Sequence, residues 1–341
     1  MYADRVATVP ACRRQDRGRH EDRPLQVPVA QAQRRPRALQ VRSIDAAFLA
    51  ALQPGAFEGH VHSVFQRVVN LERSSGQLFT LAARGMDNAP CTAIVDIPEF
   101  GSAGVAVGDR VVAADGALQV GERLVLNVEP ASVWQARLPR YDEAPEHSKR
   151  EKLRLARAHV AHWRRTGSVD GGPDGAFAVE VARALGQRSA RLITALAEQR
   201  HGDALQHAVS MLGLGPGLTP SGDDFLVGLF AVLNLAGSPC YGWLEGGKAV
   251  LGHAQGATNA ISMAALSAAA DGRVRESIGA LIHALLVGTN ATLARCLQRV
   301  LAIGATSGID LAEGVLAGIE LNLHVEATRA REQNDRAVGP P

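Results

Sequence analysis

Two adjacent aspartates, Asp223 and Asp224, close a run rich in glycine, proline and hydroxyls: Gly213-Leu214-Gly215-Pro216-Gly217-Leu218-Thr219-Pro220-Ser221-Gly222. Carboxylates accept hydrogen bonds from N–H donors or bind hard cations such as Mg2+. A Gly/Pro run is neither helix nor central strand. The apolar stretch from Phe225 to Leu235 follows directly. That order predicts a rigid loop at the positive end of a helix, offering backbone N–H groups to an anion beside hydroxyls and carboxylates. Ser221 or Asp223 is placed to cap the helix. Capping and dipole compensation compete with a functional reading, but each needs only one residue rather than the whole run.

The loop has an echo. Ser221-Gly222-Asp223-Asp224-Phe225-Leu226-Val227-Gly228 aligns without gaps on Ser307-Gly308-Ile309-Asp310-Leu311-Ala312-Glu313-Gly314. The common pattern is Ser-Gly-x-Asp with a glycine four residues after the aspartate. That glycine falls one helical turn beyond the acid, where it lets another backbone come close. The pattern predicts a duplicated loop–helix unit facing itself across one cleft, with two ordinary capped helix starts as the alternative. A further polar cluster, Thr258-Asn259-Ala260-Ile261-Ser262, lies in an apolar helical region, and its two readings are a shared polar face and a helix cap. The candidate catalytic groups are therefore Asp223, Asp224 and Asp310. The candidate substrate- or anion-binding residues are Gly215, Gly217, Thr219, Ser221, Gly222, Thr258, Asn259, Ser262, Thr306, Ser307 and Gly308. No metal site or cofactor is expected, although the aspartate pair leaves Mg2+ open.

Other signatures fail. The loop ends Ser-Gly-Asp-Asp without the lysine of a phosphate-binding P-loop. Leu218 stands where a dinucleotide fingerprint needs glycine. There is no Gly-x-Ser-x-Gly elbow and no His-Glu-x-x-His. His159 and His162 lie among arginines on a predicted helix. His60 and His62 fall on a predicted strand, where alternation puts both on one face. Neither pair has a third ligand nearby.

The positioning elements follow from length and pattern. The 341 residues are enough for two domains or one large one, and a net charge of +2 argues against nucleic acid or an anionic membrane. Cys12, Cys91, Cys240 and Cys296 form no cluster, which suits reduced thiols and a cytoplasmic location. No apolar run reaches a membrane span. Residues 1–42 are rich in Arg and Gln, and predict a disordered leader, most simply a non-native extension; Asp4, Asp16, Glu21 and Asp22 argue against a transit peptide. Residues 43–140 read as short strands between Gly, Asn, Asp and Ser, with Asp115-Gly116 as a hairpin turn. From 145 to 328 the period turns helical, beginning at Lys149–Arg165. Phe177–Gln199 follows with a break at Gly186, Lys248–Ala270 is one helix, and 329–341 is a frayed tail. The fold class is α+β: an N-terminal β-rich domain, then a larger Gly/Ala-rich helical domain carrying the loop.

The string from Gly213 to Gly228 resembles the hallmark of a bacterial family long classed as a domain of unknown function and now linked to the AllH-type subunit of oxamate carbamoyltransferase. Thr258-Asn259-Ala260-Ile261-Ser262, Ala305-Thr306-Ser307-Gly308-x-Asp310, His62-Ser63-Val64-Phe65 and Asn70-Leu71 are similar to that family's other motifs, and the resemblance spans about 43 to 325. It implies a subunit that works with an FdrA-like protein and a second carbamoyltransferase subunit. Together they would move a carbamoyl group between oxamate or a related ureide and carbamoyl phosphate, in allantoin and purine breakdown. The Ser-x-Arg-Thr-Arg and His-Pro-x-Gln strings of ordinary transcarbamoylases are absent. Two alternatives stay open: a stand-alone enzyme acting on a small amide or carboxylate through Asp223 and Asp224, and a non-catalytic scaffold subunit.

Overall fold

A computed structural model describes residues 36–53, 57–114, 116–166 and 175–337. Among the described residues nine strands come first: β1 (Arg37–Asp45), β2 (Glu58–Val64), β3 (Val68–Arg73), β4 (Leu78–Ala83), β5 (Thr92–Val95), β6 (Arg110–Ala114), β7 (Ala117–Val120), β8 (Leu124–Asn127) and β9 (Ser132–Trp134). One helix, α1 (Ala46–Ala51), interrupts them. The strand order is β5-β4-β3-β2-β6-β7-β8-β1-β9, and an extra β5–β1 pairing closes the sheet on itself. Closure gives β5 a partner on both sides, and an unpaired edge of the kind that recruits other chains is left on the three-residue β9. Phe48, Phe57 and Phe79 fill the interior, with ring centroids 4.7 to 6.0 Å apart.

Among the described residues nine further α-helices make the second half: α2 (Glu146–Thr166), α3 (Gly175–Ala197), α4 (His201–Val209), α5 (Ser221–Leu233), α6 (Leu244–Ala254), α7 (Ala260–Ala270), α8 (Glu276–Leu286), α9 (Asn290–Leu301) and α10 (Ser307–Ala337). The α+β class with β before α is as the sequence suggests. Helix α5 is buried along its whole length, and its strongest neighbour is α10. Polar contacts fasten the barrel to the helices: Asp87 pairs with Arg275 at 3.4 Å and Arg299 at 2.6 Å, and Asn88 donates to Glu276 at 3.0 Å.

Several boundaries differ from the sequence reading. Residues 37–42 of the expected leader belong to β1, where Val41 is buried between exposed neighbours; residues 1–35 lie outside the described residues. The helix expected at 248–270 is two, because Gly256 turns with φ +78° and Asn259 restarts the chain as an N-cap. No break occurs at Gly186, an exposed position whose cost α3 absorbs by packing its C-terminal half on α4 and α10. The tail expected to fray from 329 stays helical through 337. Strands β6 and β7 do form a hairpin, of whose expected turn Asp115 lies outside the described residues.

Candidate functional site

The two Ser-Gly-x-Asp segments open α5 and α10, and the helices run side by side in the same direction. A Cβ on Gly228 would lie 2.2 Å from the Leu311 carbonyl oxygen and 2.8 Å from the Val315 nitrogen. A Cβ on Gly314 would lie 2.0 Å from the Phe225 oxygen and 2.9 Å from the Leu229 nitrogen. In the sequence alignment Phe225 corresponds to Leu311 and Leu229 to Val315. The two contacts are thus images of one another, and a local two-fold axis passes between the helices. Only glycine permits main chains this close.

The same symmetry runs through the first turns. The Gly222 N–H donates back to the Leu214 carbonyl at 2.9 Å, as the Gly308 N–H does to that of Ile303 at 2.9 Å. Asp224 is approached by the hydroxyls of Ser307 and Thr219, and Asp310 by that of Ser221. Each aspartate therefore meets a serine of the opposite copy. The Thr219 and Ser307 hydroxyls are themselves hydrogen-bonded at 2.8 Å. Both positive helix ends face this cluster.

Asp224 and Asp310 are each 7% exposed, and Oδ2 of each is buried without a hydrogen-bond partner. Burial pushes Asp224 up to about 7; the Ser307 and Thr219 hydroxyls pull against this, and the charges of Asp310 and Asp223 add to it. Burial likewise raises Asp310 to about 6, opposed by the Ser221 hydroxyl and the Arg164 charge and helped by Glu313. Burial thus holds both carboxyls well above the ordinary aspartate range.

The remaining candidates divide between holding the loop and forming its rim. Both oxygens of Asp223 are taken within the chain: Oδ1 accepts the Gly213 N–H at 2.9 Å, and Oδ2 accepts the Thr258 hydroxyl. Asp223 is therefore a clasp between loop and helix α7 rather than the cap proposed for it. Ser221 is not the cap either, since Pro220 holds that position and α5 has no side-chain cap. Asn259 caps α7, accepting from Ile261 at 3.0 Å and Ser262 at 3.1 Å, while its amide donates to the Leu218 carbonyl at 2.9 Å. Ser262 is buried with its hydroxyl unpaired. Gly215 is half-buried; Gly217 and Thr306 are exposed on the two loops; Gly222 and Gly308 are buried in the first turns.

Arg164 of α2 belongs to this setting although nothing in its own neighbourhood marks it. It pairs with Glu313 at 3.1 Å, and Arg157 bridges Glu313 and Glu320. A cleft of about 380 Å3 between α3 and α10 is lined by Arg157, Phe225, Glu313 and Glu320, so it reaches the neighbours of Asp224 and Asp310 from the side. The histidine pairs are elsewhere: a bulge in β2 between Val61 and Ser63 breaks the alternation, and His60 contacts Glu72 while His62 contacts Ser63. Among the described residues no group of three or more His, Cys, Asp or Glu is arranged to hold a metal ion, and no helix is long and apolar enough to cross a membrane.

Comparison with known families gives two matches. Residues 211–319 match the family described as oxamate carbamoyltransferase subunit AllH, and residues 40–133 match the AllH family N-terminal domain. Together they span more than half of the chain and include both helix starts. No solved structure matches the chain.

Proposed function

From the premise that the chain belongs to the AllH family of oxamate carbamoyltransferase subunits, we propose that it carries the small-substrate site of that enzyme at the paired starts of α5 and α10. The observation that carries this reading is the pair of buried, partnerless carboxyl oxygens of Asp224 and Asp310 beneath two converging helix N-termini. Structural helix starts have no need of them. A buried acceptor without a donor costs about 1–3 kcal/mol, which the rest of the fold must offset. The helix ends and the N–H groups of the Gly215–Gly217 loop suit an anionic end such as a carboxylate or phosphate. The hydroxyls of Thr219, Ser221 and Ser307 suit its polar flank.

In this reading Asp224 and Asp310 act on substrate. Asp223, Thr258 and Asn259 are positioning residues that fix the loop. Gly215, Gly217, Gly222, Gly308, Thr306 and Ser307 shape the two rims. The reaction joins the amide nitrogen of oxamate to the carbamoyl carbon of carbamoyl phosphate while the bond from that carbon to the phosphate oxygen breaks. The amide proton needs an acceptor, and the developing charge needs donors. Of two carboxyls near neutrality, one serves as acceptor. No cofactor is required, and the compartment is the cytoplasm. An FdrA-like subunit and a second carbamoyltransferase subunit complete the enzyme in the breakdown of allantoin and purines.

Phosphate, oxamate and carbamoyl phosphate should each raise the melting temperature of the isolated chain, since a ligand bound only by the native state stabilises it. Turnover should appear only on co-expression with the FdrA-like subunit. Full turnover by the single chain would make it a stand-alone enzyme, and a ligand-blind chain that still restores turnover would make it a scaffold.

A further inference from the structure

Resting on the reading above, we infer that Asp224 and Asp310 together form the subsite for the nitrogen of a primary amide, each taking one of its N–H groups on Oδ2. The argument begins with donors and acceptors. The site already holds hydroxyls that donate to these carboxyls from the opposite copy, Ser307 to Asp224 and Ser221 to Asp310. What remains on each side of the local axis is a single acceptor with nothing to accept. Two equivalent vacant acceptors in one buried cluster call for a ligand atom with two N–H donors. A primary amide or carbamoyl NH2, the group that the proposed substrates carry, offers this. A carboxylate brings only acceptors, and either a carboxylate or a phosphate would set its charge against two buried acids. The anionic end of the ligand therefore belongs towards the loop of Gly215 and Gly217, and the amide end towards the aspartates.

Surrounding charges agree with this polarity. Asp223, the nearest other acid in sequence, is neutralised in hydrogen-bonding terms by Gly213 and Thr258 and has no free oxygen for the ligand. Glu313 is held by Arg157 and Arg164. Among the described residues, Asp224 and Asp310 are the carboxyls at the two helix starts that have acceptors to spare. The same arrangement gives the proton a destination. As the amide nitrogen bonds to the carbamoyl carbon and phosphate leaves with the electrons of the broken C–O bond, one N–H proton passes to the carboxylate that was accepting it. The other N–H stays hydrogen-bonded to its partner carboxyl, which keeps the nitrogen in place.

The test is calorimetric titration of the full-length chain with oxamate, with N,N-dimethyloxamate and with oxalate. Wild type should bind oxamate at least about tenfold more tightly than the dimethyl compound, the loss expected when hydrogen bonds to charged acceptors go unmade. Near-isosteric Asp224→Asn or Asp310→Asn should erase that preference and turn it towards oxalate, because an asparagine amide donates to a carboxylate. Equal affinity of wild type for oxamate and its dimethyl analogue, with binding intact, would overturn the amide subsite and leave the anion site standing. Binding of none of the three, and none of inorganic phosphate, would overturn the anion site as well. The wild-type comparison needs no variant, so a misfolded mutant does not decide the question.

Discussion

Replacing Asp224 by asparagine should make the unliganded protein more stable, and by an amount that depends on pH. The folded carboxyl titrates at about 7 against an ordinary value of 3.8, chiefly because it is buried. A raised folded pKa means that the native state binds the extra proton between those values, so stability falls as pH rises through the interval and is constant above it. Three pH units correspond to about 4 kcal/mol, an upper limit because solvent and relaxation reduce it. The groups that set this are Asp310, Asp223, Ser307 and Thr219. Asparagine keeps the shape, carries no charge at any pH and can donate to the unpaired Oδ2 of Asp310. At pH 4 the two proteins should melt within a few degrees of each other. At pH 8 the variant should melt higher by up to roughly 8 °C, taking about 2 °C per kcal/mol for a chain of this size. Differential scanning calorimetry at pH 4, 6 and 8 reads this directly. A variant that is less stable at pH 8, or whose advantage does not change with pH, would refute the idea that Asp224 is held at a cost in stability.

The axis between α5 and α10 makes a second case. Gly228→Ala or Gly314→Ala should each destabilise by about 3 kcal/mol or more, because the added carbon meets main-chain carbonyls that cannot turn aside. The double variant should cost less than the two singles combined, since both act on one contact. Gly252→Ala, in α6 with nothing within 4 Å of the added carbon, should instead gain roughly 0.5–1 kcal/mol; chemical denaturation of the four proteins checks the set. Asp223→Ala should lose the Gly213 and Thr258 bonds together. The expected result is about 3 kcal/mol of stability lost, with faster proteolytic cleavage in the loop from Gly213 to Thr219. Phosphate binding, followed by calorimetry, should weaken as pH rises through about 7 and be accompanied by proton uptake, because an anion held at the loop that leads into α5 favours the protonated form of Asp224 in that helix's first turn; affinity that rises with pH would contradict the placement of the anion.

The local units were legible where their signals were local. The repeated Ser-Gly-x-Asp and the glycine four residues later announced two equivalent helix starts, and the close approach at Gly228 and Gly314 follows from helical spacing alone. The part played by Asp223 was hidden, because its partners lie 10 and 35 residues away. The adjacent acids look like a pair in sequence but face different neighbours, Asp223 the loop and α7, Asp224 the opposite helix. The sheet's closure was hidden too. Strand β1 pairs with β5, β8 and β9, all distant in the chain, and two of those pairings are parallel. The Arg-rich composition around Arg37 and Arg42 masked a strand in which Val41 and Ile44 are buried on either side of an irregularity in the pairing with β5. At Gln255–Asn259 the glycine and the capping asparagine were both visible, yet the surrounding alanines outweighed them.

The local two-fold axis also sets how differently its two halves can behave. Along the axis the halves must match, since each glycine admits the other's main chain. Away from it they are free to diverge, and they have: Thr219 corresponds to Ala305, Pro220 to Thr306, and Asp223, which clasps its loop, to Ile309, which cannot. A two-fold floor beneath dissimilar walls has a consequence for orientation. A lopsided molecule would meet equivalent groups at its base in either of two orientations, and only the walls tell them apart. On the proposed function, direction of entry would then be decided by the rim, where sequence can change without disturbing the helices beneath.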